Sequence, residues 1–231
     1  MKKPLIIFED KNILIAEKPQ GMPSQKDPSG DEDLLSWAEK NQKEKVRNRN
    51  LKILNRLDRP VGGLVLFAKT AESVKILSRD IQNRNIKKDY LAVAEGIPEK
   101  EIMILKDWLS KDSEKNFSEA VSEDEENAKY AELSLKMLEK TEDKSLLNIR
   151  LKTGRHHQIR VQLSEHGLPI WGDKKYNPEF SDSSEKTVIS LWAYKLSFRH
   201  PAKKKIMTFC SFPPEIYPWT EFSDKYRKPG S

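Results

Sequence analysis

A run of nine residues, GGLVLFAKT (62–70), limits the possible folds more than any other segment. Its apolar residues are consecutive, whereas a strand with one solvated face alternates apolar and polar side chains. Thr70 then stands where it can cap a helix over AESVKILSRDIQNR (71–84). The chain is therefore expected to bury this strand on both faces and to follow it directly with a helix.

Other segments repeat this mixture of strands and helices. Strands are expected as a pair around a turn in residues 4–19, and over residues 87–96, 146–154, 187–201 and 204–214. Further helices are expected over residues 31–47, with Asp31 or Asp33 as the cap, and over residues 155–167. Neither a Pro/Ser-rich linker nor an internal repeat interrupts the pattern. It therefore predicts a single α/β domain that covers residues 1–231.

Charge is distributed unevenly along the chain. The formal net charge is +6, but residues 111–126 alone carry −5, so the rest of the chain carries +11. A field of that sign favours a polyanionic partner. Nucleic acid is favoured over a membrane, because no segment has the pattern of a basic amphipathic helix with a large apolar face. A lysine-rich surface that serves only solubility is the competing interpretation. The acidic segment itself is expected to be a solvated loop or hairpin tip.

Hydropathy and cysteine content suggest where the protein works. No run approaches the roughly 18 apolar residues that a membrane helix needs. The single cysteine, Cys210, cannot form an internal disulfide, so a reducing compartment, the cytoplasm, is expected. Cys210 lies in an apolar strand and is expected to be a buried, unreactive thiol.

Motifs for metal or nucleophilic chemistry do not occur in the sequence. The adjacent side chains of His156 and His157 would point apart on a helix, and no cysteine or carboxylate stands at ligand spacing from them. Neither a GxxxxGK phosphate loop nor a GxSxG nucleophile elbow occurs. No metal is therefore expected. Asp58, considered alone in NRLDRP (55–60), would be an ordinary turn residue.

Three segments taken together change the interpretation of Asp58. NRLDRPVGGLVLFAKT (55–70) resembles the signature of the RluA-type pseudouridine synthases, in which an Arg-Leu-Asp turn leads into a Gly-Leu strand. KKDYLAVAEG (87–96) and LKTGRHHQIRVQLSEHGLPIWGDKKY (151–176) are similar to the second and third elements of that family. The Lys-Pro-x-Gly turn within residues 6–25 also fits. The resemblance covers essentially the whole chain.

The resemblance implies a fold and a reaction. The fold is α/β (α+β), with a mixed, largely antiparallel central sheet, flanking helices and a catalytic cleft. The reaction isomerises uridine to pseudouridine in ribosomal or transfer RNA: the glycosidic bond breaks, the uracil turns, and a carbon–carbon bond forms to the same ribose. It needs no cofactor and no external reactant. RNA is the partner, and no obligate protein partner is indicated. The small N-terminal RNA-binding domain of many relatives, which resembles a ribosomal protein, is not expected.

The resemblance also implies roles for individual residues. Asp58 matches the essential catalytic carboxylate, Tyr90 the ring that stacks on the flipped uracil, and Arg160 the cation that keeps the carboxylate ionised. Arg56 matches the arginine that enters the space left by the base. The residues with implied RNA contacts are Arg56, Arg59, Arg155, His156 and Gln158.

The sequence also departs from the family pattern. Histidine is common in the family at the positions of Asn55, Gln162 and Trp192, and Thr or Ser at those of Val61, Gly62 and His157. An alternative function is therefore an RNA-binding or RNA-remodelling protein on the same fold that lacks catalysis. A metal-dependent hydrolase is the third hypothesis.

Overall fold

The chain divides into two compact units in a computed structural model that describes residues 3–43, 51–181 and 187–227. Unit 1 comprises Met1–Lys88 and Trp192–Pro213, and unit 2 comprises Asp89–Leu191 and Pro214–Ser231. The expectation of a single domain over residues 1–231 stays a prediction.

The described residues contain eleven strands and four α-helices. In chain order they are β1 (Leu5–Glu9), β2 (Ile13–Lys18), α1 (Leu34–Asn41), β3 (Lys52–Ile53), β4 (Gly62–Ala68), α2 (Ala71–Gln82), β5 (Lys87–Glu95), β6 (Ile102–Asp112), β7 (Phe117–Val121), β8 (Lys129–Lys140), β9 (Lys144–Leu151), α3 (Gln158–Glu165), α4 (Pro178–Ser181), β10 (Leu191–Arg199) and β11 (Ile206–Cys210). Within these described ranges, no helix is both long and apolar enough to cross a membrane.

The strands of unit 1 follow the order β1-β2-β4-β10, with β3 beside β4 and β11 beside β10. The pair β4–β10 is parallel and the other pairs are antiparallel. Every residue of β4 is buried, as its consecutive apolar residues predict. Thr70 caps α2 by accepting the Ser73 amide at 3.1 Å, and Leu77 of that helix packs into the core beside Leu64 and Leu66.

The strands of unit 2 follow the order β5-β9-β8-β6-β7, and all four pairs are antiparallel. Helix α3 inserts Val161 into a core cluster with Leu109, Ala131 and Tyr176. The expectation of a mixed, largely antiparallel sheet with flanking helices is confirmed, since β4–β10 is a parallel pair and the other pairs described within each unit are antiparallel.

Three local expectations are corrected. The acidic segment 111–126, expected to be a loop or hairpin tip, contains the turn of the β6–β7 hairpin but also β7 itself (Phe117–Val121), which buries Ser118. The helix expected over 31–47 extends only from Leu34 to Asn41, with Asp33 as its cap, and residues 44–47 lie outside the described chain. Cys210 is exposed, because it ends β11, whose side chains alternate between exposed and half-buried positions.

Candidate active site

The turn that carries Asp58 lies between β3 and β4 of unit 1. The Val61 amide donates to the Asp58 carbonyl at 3.0 Å and closes the turn. Asn55 anchors its entry, because its side-chain amide donates to the Leu64 carbonyl at 3.2 Å and accepts from the Leu66 amide at 2.8 Å. These are the bonds that a neighbouring strand would make with β4. The Asn55 side chain therefore holds the turn against the sheet.

Two further side chains hold the middle of this turn. The Ser24 hydroxyl donates to the Leu57 carbonyl at 2.7 Å and accepts from the Leu57 amide at 3.0 Å. Lys18, at the end of β2, has a fully buried side chain. Its Nζ donates to the carbonyls of Pro19 at 3.1 Å, Met22 at 2.6 Å and Arg59 at 3.1 Å. Three carbonyls match the three N–H donors of an ammonium group.

Lys18 is a second titratable group at the Asp58 turn. Burial lowers the pKa of Lys18 to about 7, the Asp58 carboxylate acts in the opposite direction, and the Arg59 cation lowers the pKa further. When Lys18 loses its proton, it retains two N–H donors for three carbonyls. The hydrogen bonds from Lys18 to the Asp58 turn then weaken, and Asp58 loses a nearby positive charge.

We expect the rate of the Asp58 chemistry to fall as the pH rises through about 7, because protonated Lys18 predominates only below its lowered pKa. The measurement is a single-turnover rate at a series of pH values, with the fold verified by circular dichroism at each one. Lys18→Met has no titrating group at this place and should give a lower, flatter profile. An equal fall in that variant would assign the titration to another group.

Unit 2 contains a buried ion pair between Arg160 of α3 and Asp173, which lies in the segment after that helix. Arg160 is buried, and its guanidinium forms two parallel bonds with Asp173, Nε to Oδ2 at 2.8 Å and Nη2 to Oδ1 at 2.7 Å. The side chain of Asp173 is fully buried. The Arg160 Cζ also lies 5.0 Å from the centre of the Tyr176 ring. A bidentate pair of this kind holds a planar cation in one orientation.

A second set of contacts supports Arg160 through Tyr176. The Tyr176 hydroxyl accepts from the Ser118 amide at 2.8 Å and lies 2.8 Å from His157 Nδ1. Burial lowers the pKa of His157 to about 2, and the nearby charge of Arg160 acts in the same direction. His157 is therefore a neutral ring whose Nδ1 can accept a hydrogen bond from the Tyr176 hydroxyl. It has a positive φ of 53° immediately before α3.

Tyr90 lies on β5, where it pairs with Ile149 of β9. Its ring is buried, with 7% of the residue exposed. Of the predicted catalytic residues, Asp58 therefore belongs to unit 1, and Tyr90 and Arg160 belong to unit 2.

The predicted RNA-binding residues fall into two groups. In unit 1, Arg56 is exposed, and the guanidinium of Arg59 is engaged by the carboxylates of Asp27 and Asp31. In unit 2, three residues precede or begin α3. Arg155 is exposed and donates from Nε to the Tyr130 carbonyl at 2.9 Å. His156 Nδ1 lies 2.8 Å from Ser118 Oγ. The side-chain amide of Gln158 is buried and forms hydrogen bonds with Thr153, Arg155, Glu132 and Gln162.

Gln158 therefore lies in the interior, where it holds the 153–155 loop against α3. RNA contact by Gln158 stays a prediction. Sequence reasoning missed Lys18, Asp173 and Tyr176. A signal was present, because Lys18 begins the Lys-Pro-x-Gly turn and the other two end the third family-like segment.

A profile of a protein family described as RNA pseudouridylate synthase matches residues 12–165. That range contains Asp58, Tyr90 and Arg160. Solved structures with a similar fold include human RNA Pseudouridylate Synthase Domain Containing 1, with a TM-score of 0.74 and 20% identity over 94% of this chain and 86% of that one. Human RNA Pseudouridylate Synthase Domain Containing 4 has a TM-score of 0.71 and 22% identity over 90% and 88% of the two chains.

Curated relatives are more similar in sequence. An uncharacterized RNA pseudouridine synthase of Helicobacter pylori is 33% identical over 198 residues, which are 85% of this chain and 72% of that protein. Ribosomal large subunit pseudouridine synthase C of Buchnera aphidicola is 32% identical over 78% of this chain and 56% of its own length. Ribosomal large subunit pseudouridine synthase D of Neisseria meningitidis is 32% identical over 92% of this chain and 59% of its own length. The chain thus spans less than two thirds of the length of each of these two ribosomal synthases.

Proposed function

The chain belongs to the RNA pseudouridylate synthase family, and from this premise we propose that it converts specific uridines of RNA to pseudouridine with Asp58 as the essential carboxylate. The Asp58 turn is the observation that carries the proposal. The turn is anchored by Asn55, Ser24 and Lys18, and the buried Lys18 ammonium supports the Asp58 charge. Burial of an ammonium group near a turn carboxylate is costly, and perturbed groups of this kind cluster at functional sites.

Each predicted catalytic residue has a step that it can perform. The bond between uracil N1 and ribose C1′ breaks, a bond between uracil C5 and the same C1′ forms, the C5 proton is released, and N1 gains a proton. Asp58 supplies the anionic group that this exchange needs at the sugar or the base. Tyr90 provides a ring that stacks on the flipped uracil. Arg160, held in one orientation by Asp173, provides a fixed positive charge.

Ribosomal RNA is the proposed substrate, ahead of transfer RNA. Two of the relatives are named as ribosomal large subunit synthases. Outside residues 111–126 the chain carries a formal charge of +11, which suits a highly charged RNA backbone. Mapping pseudouridine in cellular RNA from a strain that lacks the protein tests this choice, because a site missing from ribosomal RNA identifies the substrate. A site missing only from transfer RNA would contradict it.

Tritium release from RNA that contains 5-tritiated uridine tests the activity itself, because the C5 proton is lost in the reaction. We expect the purified protein to release tritium from total RNA of the deletion strain and to release much less from wild-type RNA, where the target is already modified. Binding of the RNA without any release would favour the alternative of an RNA-binding protein that lacks catalysis.

Arg56 is predicted to act in opening the RNA stack. Its side chain is exposed two residues before Asp58, so the guanidinium can fill the space that a flipped uridine leaves. Extruding a base costs a few kcal/mol when the base is stacked and much less when it is not. Arg56→Ala should therefore reduce the single-turnover rate most on a uridine in a stable stem, and less on an unstructured strand with the same flanking bases.

Both RNA substrates are compared at one salt concentration, so that the phosphate contribution stays constant. Lys52→Ala is the control, because it removes another exposed cation from the segment that leads to the same turn. It should reduce affinity for both substrates by a similar factor. If Arg56→Ala behaved like this control, with equal losses in binding and none in rate, Arg56 would be a backbone contact.

A further inference from the structure

Gly62 and Trp192 face each other in the parallel pair of β4 and β10. The register places Trp192 opposite Gly62 and Ala193 opposite Gly63. Trp192 is buried, with 2% of the residue exposed. Both positions depart from the family pattern, since Gly62 stands where Thr or Ser is common and Trp192 where histidine is common.

The indole ring occupies the space that a side chain at position 62 would need. A Cβ added to Gly62 would lie 2.1 Å from Trp192 Cζ3, 2.7 Å from Cε3 and 2.8 Å from Cη2. All three atoms belong to the six-membered part of the indole, which histidine lacks. A residue larger than glycine therefore fits at position 62 only if the ring or the strand moves.

The ring of Trp192 is held in place by hydrogen bonds. Its Nε1 donates to the Ser211 carbonyl at 3.1 Å and lies 3.0 Å from the Ser211 hydroxyl, which in turn donates to Glu17 Oε2 at 2.7 Å. A rotation of the indole would leave buried polar groups without these bonds. A clash at position 62 would therefore displace the start of β4 more readily than the ring.

The start of β4 is also the exit of the catalytic turn. Gly62 follows Val61, whose amide closes the turn on the Asp58 carbonyl at 3.0 Å. Only three residues separate Asp58 from Gly62, and one of them, Val61, is buried and cannot move freely. A shift of Gly62 would thus be transmitted to Asp58. Misplacement of a reacting group by about 1 Å can lower a rate about 100-fold.

We propose that Gly62 and Trp192 are a matched pair of positioning residues that sets the exit of the Asp58 turn, so that each can change without loss only if the other changes with it. The proposal rests on the proposed pseudouridine synthase activity. The fixed indole ring of Trp192 limits how far the start of β4 can move. Gly62 has no side chain and therefore lets β4 approach this ring closely enough to keep Asp58 in place.

The test is a double-mutant cycle with Gly62→Ser, Trp192→His and the two together. Gly62→Ser should lower kcat at least about tenfold with KM within about threefold, because the clash displaces the carboxylate and leaves the rest of the RNA surface intact. Trp192→His should lower kcat, because the smaller ring no longer fixes the start of β4. In the double variant the serine occupies the space that the six-membered ring leaves, so kcat should return to within about threefold of wild type.

Trp37→His is the control, because it makes the same replacement at a tryptophan of unit 1 that is only half-buried and lies on α1. Its kcat should equal that of wild type at a temperature where all variants are folded by circular dichroism. A double variant whose loss equals the product of the single losses would overturn the pairing, and so would a folded Gly62→Ser enzyme with wild-type kcat. Lack of activity in the wild type would instead reject the proposed function.

Discussion

Asp58→Asn is expected to abolish turnover, with a loss on the order of 10⁴-fold or more in single-turnover tritium release. Asparagine keeps the shape of the side chain and leaves the support of the turn by Asn55 and Ser24 intact. It removes the negative charge that takes part in the exchange of the glycosidic bond. Binding of the RNA, measured by filter retention at the same salt concentration, should therefore stay within a few-fold of wild type.

Asp112→Asn is the matched control, because it removes one carboxylate from the hairpin of β6 and β7. This variant should retain wild-type turnover. A purified and folded Asp58→Asn protein with activity near wild type would remove Asp58 from the mechanism. A loss confined to RNA binding would make Asp58 a residue that shapes the RNA surface.

Arg160→Lys should give the second largest loss of turnover, on the order of 100-fold, although it keeps the positive charge. An ammonium group cannot make the two parallel bonds that the guanidinium makes with Asp173. The charge then lacks a defined position, and the buried Asp173 is less well satisfied. The loss should appear in the single-turnover rate, with RNA affinity changed only a few-fold.

Arg150→Lys provides a control with similar chemistry in unit 2. Arg150 bonds to the buried Asp89 through Nε at 2.7 Å, but about half of its side chain is exposed. This variant should keep its rate within a few-fold of wild type, because an ammonium group can also make a single bond to Asp89 and water reaches the half-exposed side chain at position 150. If Arg160→Lys changed affinity and left the rate intact, Arg160 would be a phosphate contact.

Much of the fold could be predicted from local patterns. Predictions that need only neighbouring residues are confirmed. They are the buried strand β4, the Thr70 cap of α2 and the helix before Gly167. Strands β6 and β8 were not predicted. The sequence of β8, KYAELSLKMLEK, is rich in good helix formers, and the pairing of β8 with β6 and β9 overrides that preference.

The family resemblance is confirmed, and the motifs that carry it contain every predicted catalytic residue. The support around these residues was not predictable, because it joins positions far apart in sequence. Lys18 reaches the Arg59 carbonyl across 41 residues, and Ser24 reaches Leu57 across 33. Departures from the family pattern have physical roles that only the structure shows. Gln162, for example, both accepts from Gln158 and donates to Asp107.

The side chains that support the Asp58 turn bond to its main chain, and this has a consequence for how the protein can diversify. The Ser24 hydroxyl bonds to backbone atoms of Leu57, and Lys18 Nζ donates to backbone carbonyls, including that of Arg59. Backbone groups are present whatever the side chain is. An exposed side chain of the turn that has no step in the proposed reaction, such as that of Arg59, can therefore be exchanged by evolution or by an engineer to retarget the enzyme to another RNA, while the backbone contacts that hold the turn are kept.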